Sequence, residues 1–189
     1  MKIISDIFGI KRRKILAWEM YGILSIFLAG ALLHFAFDLS GGLRPLALIA
    51  AVNESVWEHL KIGFWPAFVW TVIEFFVFGK RTRNFLFAKG VAFTLQSLLI
   101  TGIYYAAVSA GIENLAVDIT NFFVSIAVAQ IVSYRLNLVQ KRSAALKITG
   151  ALLVIINLAG FSMLTYFAPQ CPVFKDPVSG GYGITGQVD

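Results

Sequence analysis

Long runs of apolar residues separated by short polar segments dominate the chain. Five of these runs reach or approach the roughly 20 residues needed to cross a hydrocarbon layer. They cover residues 15–39, 62–79, 86–110, 115–134 and 145–168. The pattern predicts an all-α, polytopic membrane helix bundle with about five transmembrane helices, formed by a single domain, residues 1–168. An outward-facing tail rich in Pro and Gly, residues 169–189, is expected to follow.

The segment 46–60 does not fit this scheme, because it is apolar at its start and polar just before the second run. A continuous helix over 46–79 would be about 50 Å long, which exceeds the width of one bilayer. Gly63 and Pro66 offer a natural break, since proline suits the first turn of a helix. We therefore expect a further helix at about 46–60, either on the outer surface or re-entering the membrane.

The distribution of charge predicts how the bundle is oriented. If the five runs span the membrane, 13 of the 16 Lys and Arg residues fall on one side and seven of the ten Asp and Glu residues on the other. Because Lys and Arg accumulate in cytoplasmic loops, we expect a multi-pass protein of the cell membrane with a cytoplasmic N-terminus and an extracytoplasmic C-terminus. The expected partners are membrane lipids and a membrane protein or second copy of the chain, and not nucleic acid.

Composition excludes several other classes of protein. Apolar residues make up 58% of the chain and charged residues 14%, and the mean hydropathy of +0.78 is too high for an ordinary soluble domain, a coiled coil or a disordered chain. The single cysteine excludes an intrachain disulfide and a multi-thiolate metal site. The sequence also lacks a phosphate-binding loop, a GxSxG elbow and an HExxH pair, so enzymatic activity stays an open question.

Five polar side chains are predicted to lie near the outer boundary of the membrane. Counting about 20 residues outward along the first two spans places His34 and His59 at the same level. Asp38 lies one turn beyond His34, and Glu54 lies one turn before Glu58. Imidazole and carboxylate together favour zinc, manganese or iron. The sequence thus predicts an outward-facing divalent metal site, for binding or transport, with the ligands His34, Asp38, Glu54, Glu58 and His59.

Other interpretations of these residues stay open. Ser55 and Glu58 match a capping box, and Asp38 can pair with Arg44. Two further functions also fit the pattern. One is a metal-dependent membrane hydrolase that acts on lipid or peptide at the outer leaflet, with Glu54 or Glu58 as general base. The other is a non-catalytic subunit of a membrane complex.

Two acids lie within the apolar runs near the cytoplasmic boundary, namely Glu19 and Glu74. Ionisable residues at this depth are costly unless they are paired. Pairing with Lys14, Lys89 or Arg135 would give these acids a structural role. Alternatively, they form the inner end of a route for protons or cations.

Several short motifs stand out along the chain. They are Asn53-Glu54-Ser55-Val56-Trp57-Glu58-His59-Leu60-Lys61 followed by Phe64-Trp65-Pro66, then Leu33-His34-Phe35, and in the tail Pro172-Val173-Phe174, Asp176-Pro177 and Tyr182-Gly183. With these motifs the sequence resembles an uncharacterised family of small bacterial integral membrane proteins that is marked by Asn-Glu-Ser-x-Trp-Glu-His. The resemblance covers most of the chain. It implies a multi-pass bundle and carries no assigned activity.

Overall fold

A computed structural model describes residues 12–139 and 143–184, which form a bundle of five α-helices. The helices are α1 (Arg12–Leu39), α2 (Val56–Val77), α3 (Phe85–Ser109), α4 (Leu115–Asn137) and α5 (Ala144–Met163). All five are long and apolar enough to span a membrane. The predicted all-α bundle, with five helices able to span a membrane, is therefore confirmed.

The helices pack so that α1 contacts α2 and α4, while α3 contacts α2, α4 and α5. Many large apolar side chains point away from the bundle, among them Leu24, Leu28 and Leu32 of α1 and Ile148 and Ile155 of α5. An apolar outer surface of this extent suits a lipid environment better than water.

The two ends of the bundle differ in chemistry. The histidine end carries His34 and His59, where α1 ends and α2 begins. The basic end carries exposed cations that follow α2 or lie at the ends of α4 and α5, namely Lys80, Arg81, Arg135 and Lys147. The 22 residues of α2 separate the two ends by about 33 Å along the helix.

The segment before α2 differs from the sequence prediction. Residues 44–48 form a short 3-10 helix, residues 49–55 are irregular, and α2 begins at Val56. No separate surface or re-entrant α-helix is formed by the described residues 46–60. The polar start of α2 lies inside the bundle because Glu58 and Lys61 neutralise each other there.

Helix α2 also continues through Pro66 without the break expected there. Proline removes the donor that would bond to the carbonyl of Ile62 one turn earlier. Gly30 of α1 faces this carbonyl so closely that a Cβ at position 30 would lie 2.9 Å from the Ile62 oxygen. The backbone of α1 therefore packs directly against the oxygen that the proline leaves unbonded.

The tail folds back over the histidine end. Trp57 of α2 stacks between Phe161 of α5 and Phe174 of the tail, with ring centroids 4.7 and 4.6 Å apart. The side-chain amide of Asn53 donates a hydrogen bond to the carbonyl of Gly183 at 3.2 Å. The tail thus holds the segment before α2, whereas the last five residues of the chain lie outside the described part.

Candidate metal centre

Three polar side chains converge at the histidine end. The Nε2 atoms of His34 and His59 are 3.2 Å apart, and Oε2 of Glu54 lies 3.6 Å from each of them. Within residues 12–139 and 143–184, this is the group of His, Cys, Asp and Glu side chains arranged closely enough to hold a metal ion. We call these three side chains the ligand triangle.

The ligand triangle depends on how the chain returns from α1 to α2. Gly41 and Gly42 adopt left-handed backbone angles, with φ of 70° and 80°, and reverse the chain directly after α1. Before α2, the side chain of Asn53 accepts a hydrogen bond from the amide of Ser55 at 2.9 Å. This local turn presents Glu54 toward the end of α1.

The orientation of His59 is set by its own helix. Its Nδ1 lies 2.9 Å from the carbonyl oxygen of Ser55, and only a protonated Nδ1 can donate to that oxygen. In the neutral ring, Nε2 then carries a lone pair directed at His34 and Glu54. A carbonyl that accepts from the far nitrogen is the usual support for a metal-binding histidine.

The ligand triangle is accessible and contains one ionised group. The side chains of His34, His59 and Glu54 are 26%, 32% and 49% exposed. The imidazole of His34 beside Glu54 lowers the pKa of that carboxyl, and partial burial opposes this effect without cancelling it. Glu54 is thus a carboxylate at neutral pH and can act as a ligand.

Two of the five predicted ligands lie outside the triangle. Asp38, one turn beyond His34, is exposed. Glu58 is only 1% exposed, and its Oε2 accepts a hydrogen bond from the amide of Val52 at 3.1 Å. Glu58 and His59 are neighbours on α2 and point about 100° apart, so one faces the core and the other the opening.

A buried lysine, which the sequence analysis did not single out, accounts for the position of Glu58. Lys61 is fully buried, forms an ion pair with Glu58, and donates to the carbonyl of Ala47 at 2.7 Å and the hydroxyl of Thr165 at 2.9 Å. The same hydroxyl donates to Glu58 at 3.0 Å. The spacing of three residues between Glu58 and Lys61 was the available sequence signal for this pair.

Comparisons with known proteins give a family but no activity. No curated protein and no solved structure is detectably similar to the chain. A family profile described as "Family of unknown function (DUF6512)" matches residues 10–184, which include the ligand triangle, all five helices and most of the tail. The chain therefore belongs to this family of unknown function, DUF6512.

Proposed function

We propose that the ligand triangle binds one divalent metal ion, with zinc as the best fit. The observation that carries this proposal is the size of the triangle. A point about 2.0 Å from all three atoms lies near its centre, and this distance equals the usual bond length from zinc to imidazole nitrogen or carboxylate oxygen.

The chemistry of the triangle supports the same proposal. Two neutral imidazoles and one carboxylate form a ligand set that zinc, manganese and iron accept. The carbonyl of Ser55 fixes the ring of His59, and Glu54 supplies the negative charge. Three protein ligands leave a fourth coordination position for water, an arrangement typical of catalytic zinc sites.

Metal titration of the purified protein tests the proposal. After treatment with a chelator, the wild type should bind one zinc ion per chain in competition with a chromogenic zinc indicator. His34→Ala and His59→Ala should each weaken binding by about 100-fold or more, because each removes a ligand rather than a supporting group.

Two further variants serve as controls for the titration. Asp118→Asn removes an exposed acid at the start of α4 and should leave zinc affinity unchanged. Asp38→Asn should also bind normally if the three side chains are sufficient. Equal zinc affinity in the wild type and both histidine variants would contradict the proposal.

Binding is supported more directly than transport or hydrolysis. Buried apolar side chains, including Ile26, Phe64 and Ile126, fill the bundle between its two ends, which favours a site at the surface over a continuous channel. Glu58, one of the two candidate bases for hydrolysis, is held in its ion pair with Lys61.

We also propose that the protein lies in the cell membrane with the histidine end outside. The exposed cations of the basic end, including Lys80, Arg81 and Lys147, support this orientation. The same three residues line part of a groove of about 900 Å³. Their positive charges suit anionic lipid headgroups on the cytoplasmic side.

The natural cysteine tests this orientation. Cys171 is a half-buried free thiol in the tail, at the histidine end. A membrane-impermeant maleimide should label it in intact cells. A Cys171→Ser variant that carries Thr82→Cys at the basic end should be labelled only after the cells are permeabilised. The reverse pattern would contradict the proposed orientation.

A further inference from the structure

A second cluster of charged side chains lies buried near the basic end, away from the ligand triangle. Glu19 of α1, Glu74 of α2 and Lys89 of α3 are each at most 1% exposed. The Nζ atom of Lys89 lies 2.9 Å from Oε2 of Glu19 and 2.5 Å from Oε2 of Glu74. The sequence suggests Lys14, Lys89 or Arg135 as partners for Glu19 and Glu74. In the structure, Lys89 pairs with both acids.

The cluster contains more acids than bases. With both carboxyl groups ionised, one ammonium would leave a net charge of −1 among fully buried side chains. An uncompensated charge in such a place costs several kcal/mol. The ammonium of Lys89 already occupies the position between the two carboxylates where a metal cation would bind. A proton is therefore the species that can remove the remaining charge.

The hydrogen bonds distinguish the two acids. Glu19 accepts from Lys89 through Oε2, and through Oε1 from the hydroxyl of Ser133 at 2.7 Å and the side-chain amide of Asn137 at 3.2 Å. In contrast, Glu74 has the shared ammonium of Lys89 and the indole of Trp70 beside it, and the described residues form no hydrogen bond of ordinary geometry to its buried Oε1. Donors stabilise a carboxylate, so these contacts favour the charge on Glu19 and the proton on Glu74.

The remaining surroundings of Glu74 do not supply another positive charge. The charged groups that face it are Lys89 and Glu19, and the indole of Trp70, one turn earlier on the same helix, is a neutral donor that approaches its carboxyl group. The indole of Trp70 donates to the carbonyl of Trp18 at 3.3 Å. The cations of the short helix Gly79–Arg81, which follows α2, are exposed.

We propose that Glu19, Lys89 and Glu74 form a proton-binding site in which Glu74 holds one exchangeable proton at neutral pH. The proton neutralises the second carboxylate and leaves Glu19 and Lys89 as a balanced ion pair. Glu74 lies 15 residues after His59 on α2, about 22 Å along the helix, so this site is independent of the ligand triangle.

Infrared spectroscopy tests the proposal directly, because a protonated carboxyl group has a C=O band separate from that of a carboxylate. The wild type at neutral pH should show this band, and Glu74→Gln should lose it. Glu113→Gln removes an exposed acid and should keep the band. Absence of the band from the wild type, or its persistence in Glu74→Gln, would overturn the proposal.

Thermal unfolding at different pH values gives a second, independent measurement. A glutamate in the unfolded chain loses its proton near pH 4.3. Between that pH and the pH at which the site releases its proton, the folded protein holds one proton more than the unfolded chain. Its stability should therefore fall as pH rises, with the unfolding equilibrium constant increasing up to about tenfold per pH unit.

Glu74→Gln is the matched control for this measurement, because glutamine keeps the shape of the protonated acid and cannot titrate. The variant should fold and lose this part of the pH dependence. Other titrating groups affect both proteins alike, so the difference between the two curves reports Glu74. Parallel curves for the wild type and Glu74→Gln would contradict the proton-binding site.

Discussion

Lys61→Met is expected to destabilise the folded protein by about 3–5 kcal/mol, enough to abolish most of the folded material. The substitution preserves most of the side-chain volume but removes the cation that pairs with Glu58 inside the bundle. Glu58 is 1% exposed and would be left as an uncompensated buried charge. The yield of monodisperse protein and its apparent melting temperature in detergent measure the effect.

Two comparisons show whether the loss comes from the ion pair. Glu58→Gln combined with Lys61→Met removes both charges and should restore much of the stability, because neither group is then buried without its partner. Lys80→Met removes an exposed cation at the basic end and should change stability by no more than about 0.5 kcal/mol. If Lys61→Met were as stable as Lys80→Met, the ion pair would not hold the start of α2 in place.

The meeting of His34 and His59 could be anticipated from the sequence for a simple reason. Counted from the basic end of the bundle, both residues lie about 20 positions along their helices, and the rise of 1.5 Å per residue converts that count into a depth. The same count could not show that the side chain of the adjacent Glu58 faces the core and not the ligand triangle. This orientation depends on Lys61 and on Thr165, which is 107 residues away from Glu58 in the chain.

The error in the segment 46–60 has the same origin. A polar stretch ahead of an apolar run indicates a surface segment when each residue is considered alone. The structure neutralises Glu58 with Lys61 and packs Gly30 against the carbonyl that Pro66 leaves unbonded. The spacing of Glu58 and Lys61 is visible in the sequence, but the burial of the pair is not, because it depends on Ala47 and Thr165 elsewhere in the chain. The contact of Gly30 with the Ile62 carbonyl joins two helices and has no local signature.

The tail links the fold to the ligand triangle. Burial raises the pKa of Asp176, but hydrogen bonds from the hydroxyl of Ser179 and from the amides of Val178 and Ser179 outweigh it, so the net pKa lies below its ordinary value. The ionised Asp176 therefore organises the turn that leads to Gly183, which in turn bonds Asn53 beside Glu54. The Pro- and Gly-rich composition of the tail predicts successive turns. It does not predict that the tail packs against the start of α2.

Gly150→Ala and Gly102→Ala are expected to change stability in opposite directions. At Gly150 of α5, an added Cβ would lie 2.4 Å from the backbone N and Cα atoms of Phe87, so α3 and α5 would have to separate. We expect a loss of about 1–3 kcal/mol, as for other overpacked sites.

At Gly102 of α3, an added Cβ meets nothing within 4 Å, and alanine favours the helix by up to about 1 kcal/mol. This variant should therefore be as stable as the wild type or more stable. Apparent melting temperatures measured in one detergent compare the two substitutions. Both substitutions add the same methyl group. If one lowers the melting temperature and the other does not, the difference must come from the neighbouring helix. If both variants shifted the melting temperature in the same direction, the backbone contact between α3 and α5 would not contribute to the bundle as its geometry indicates.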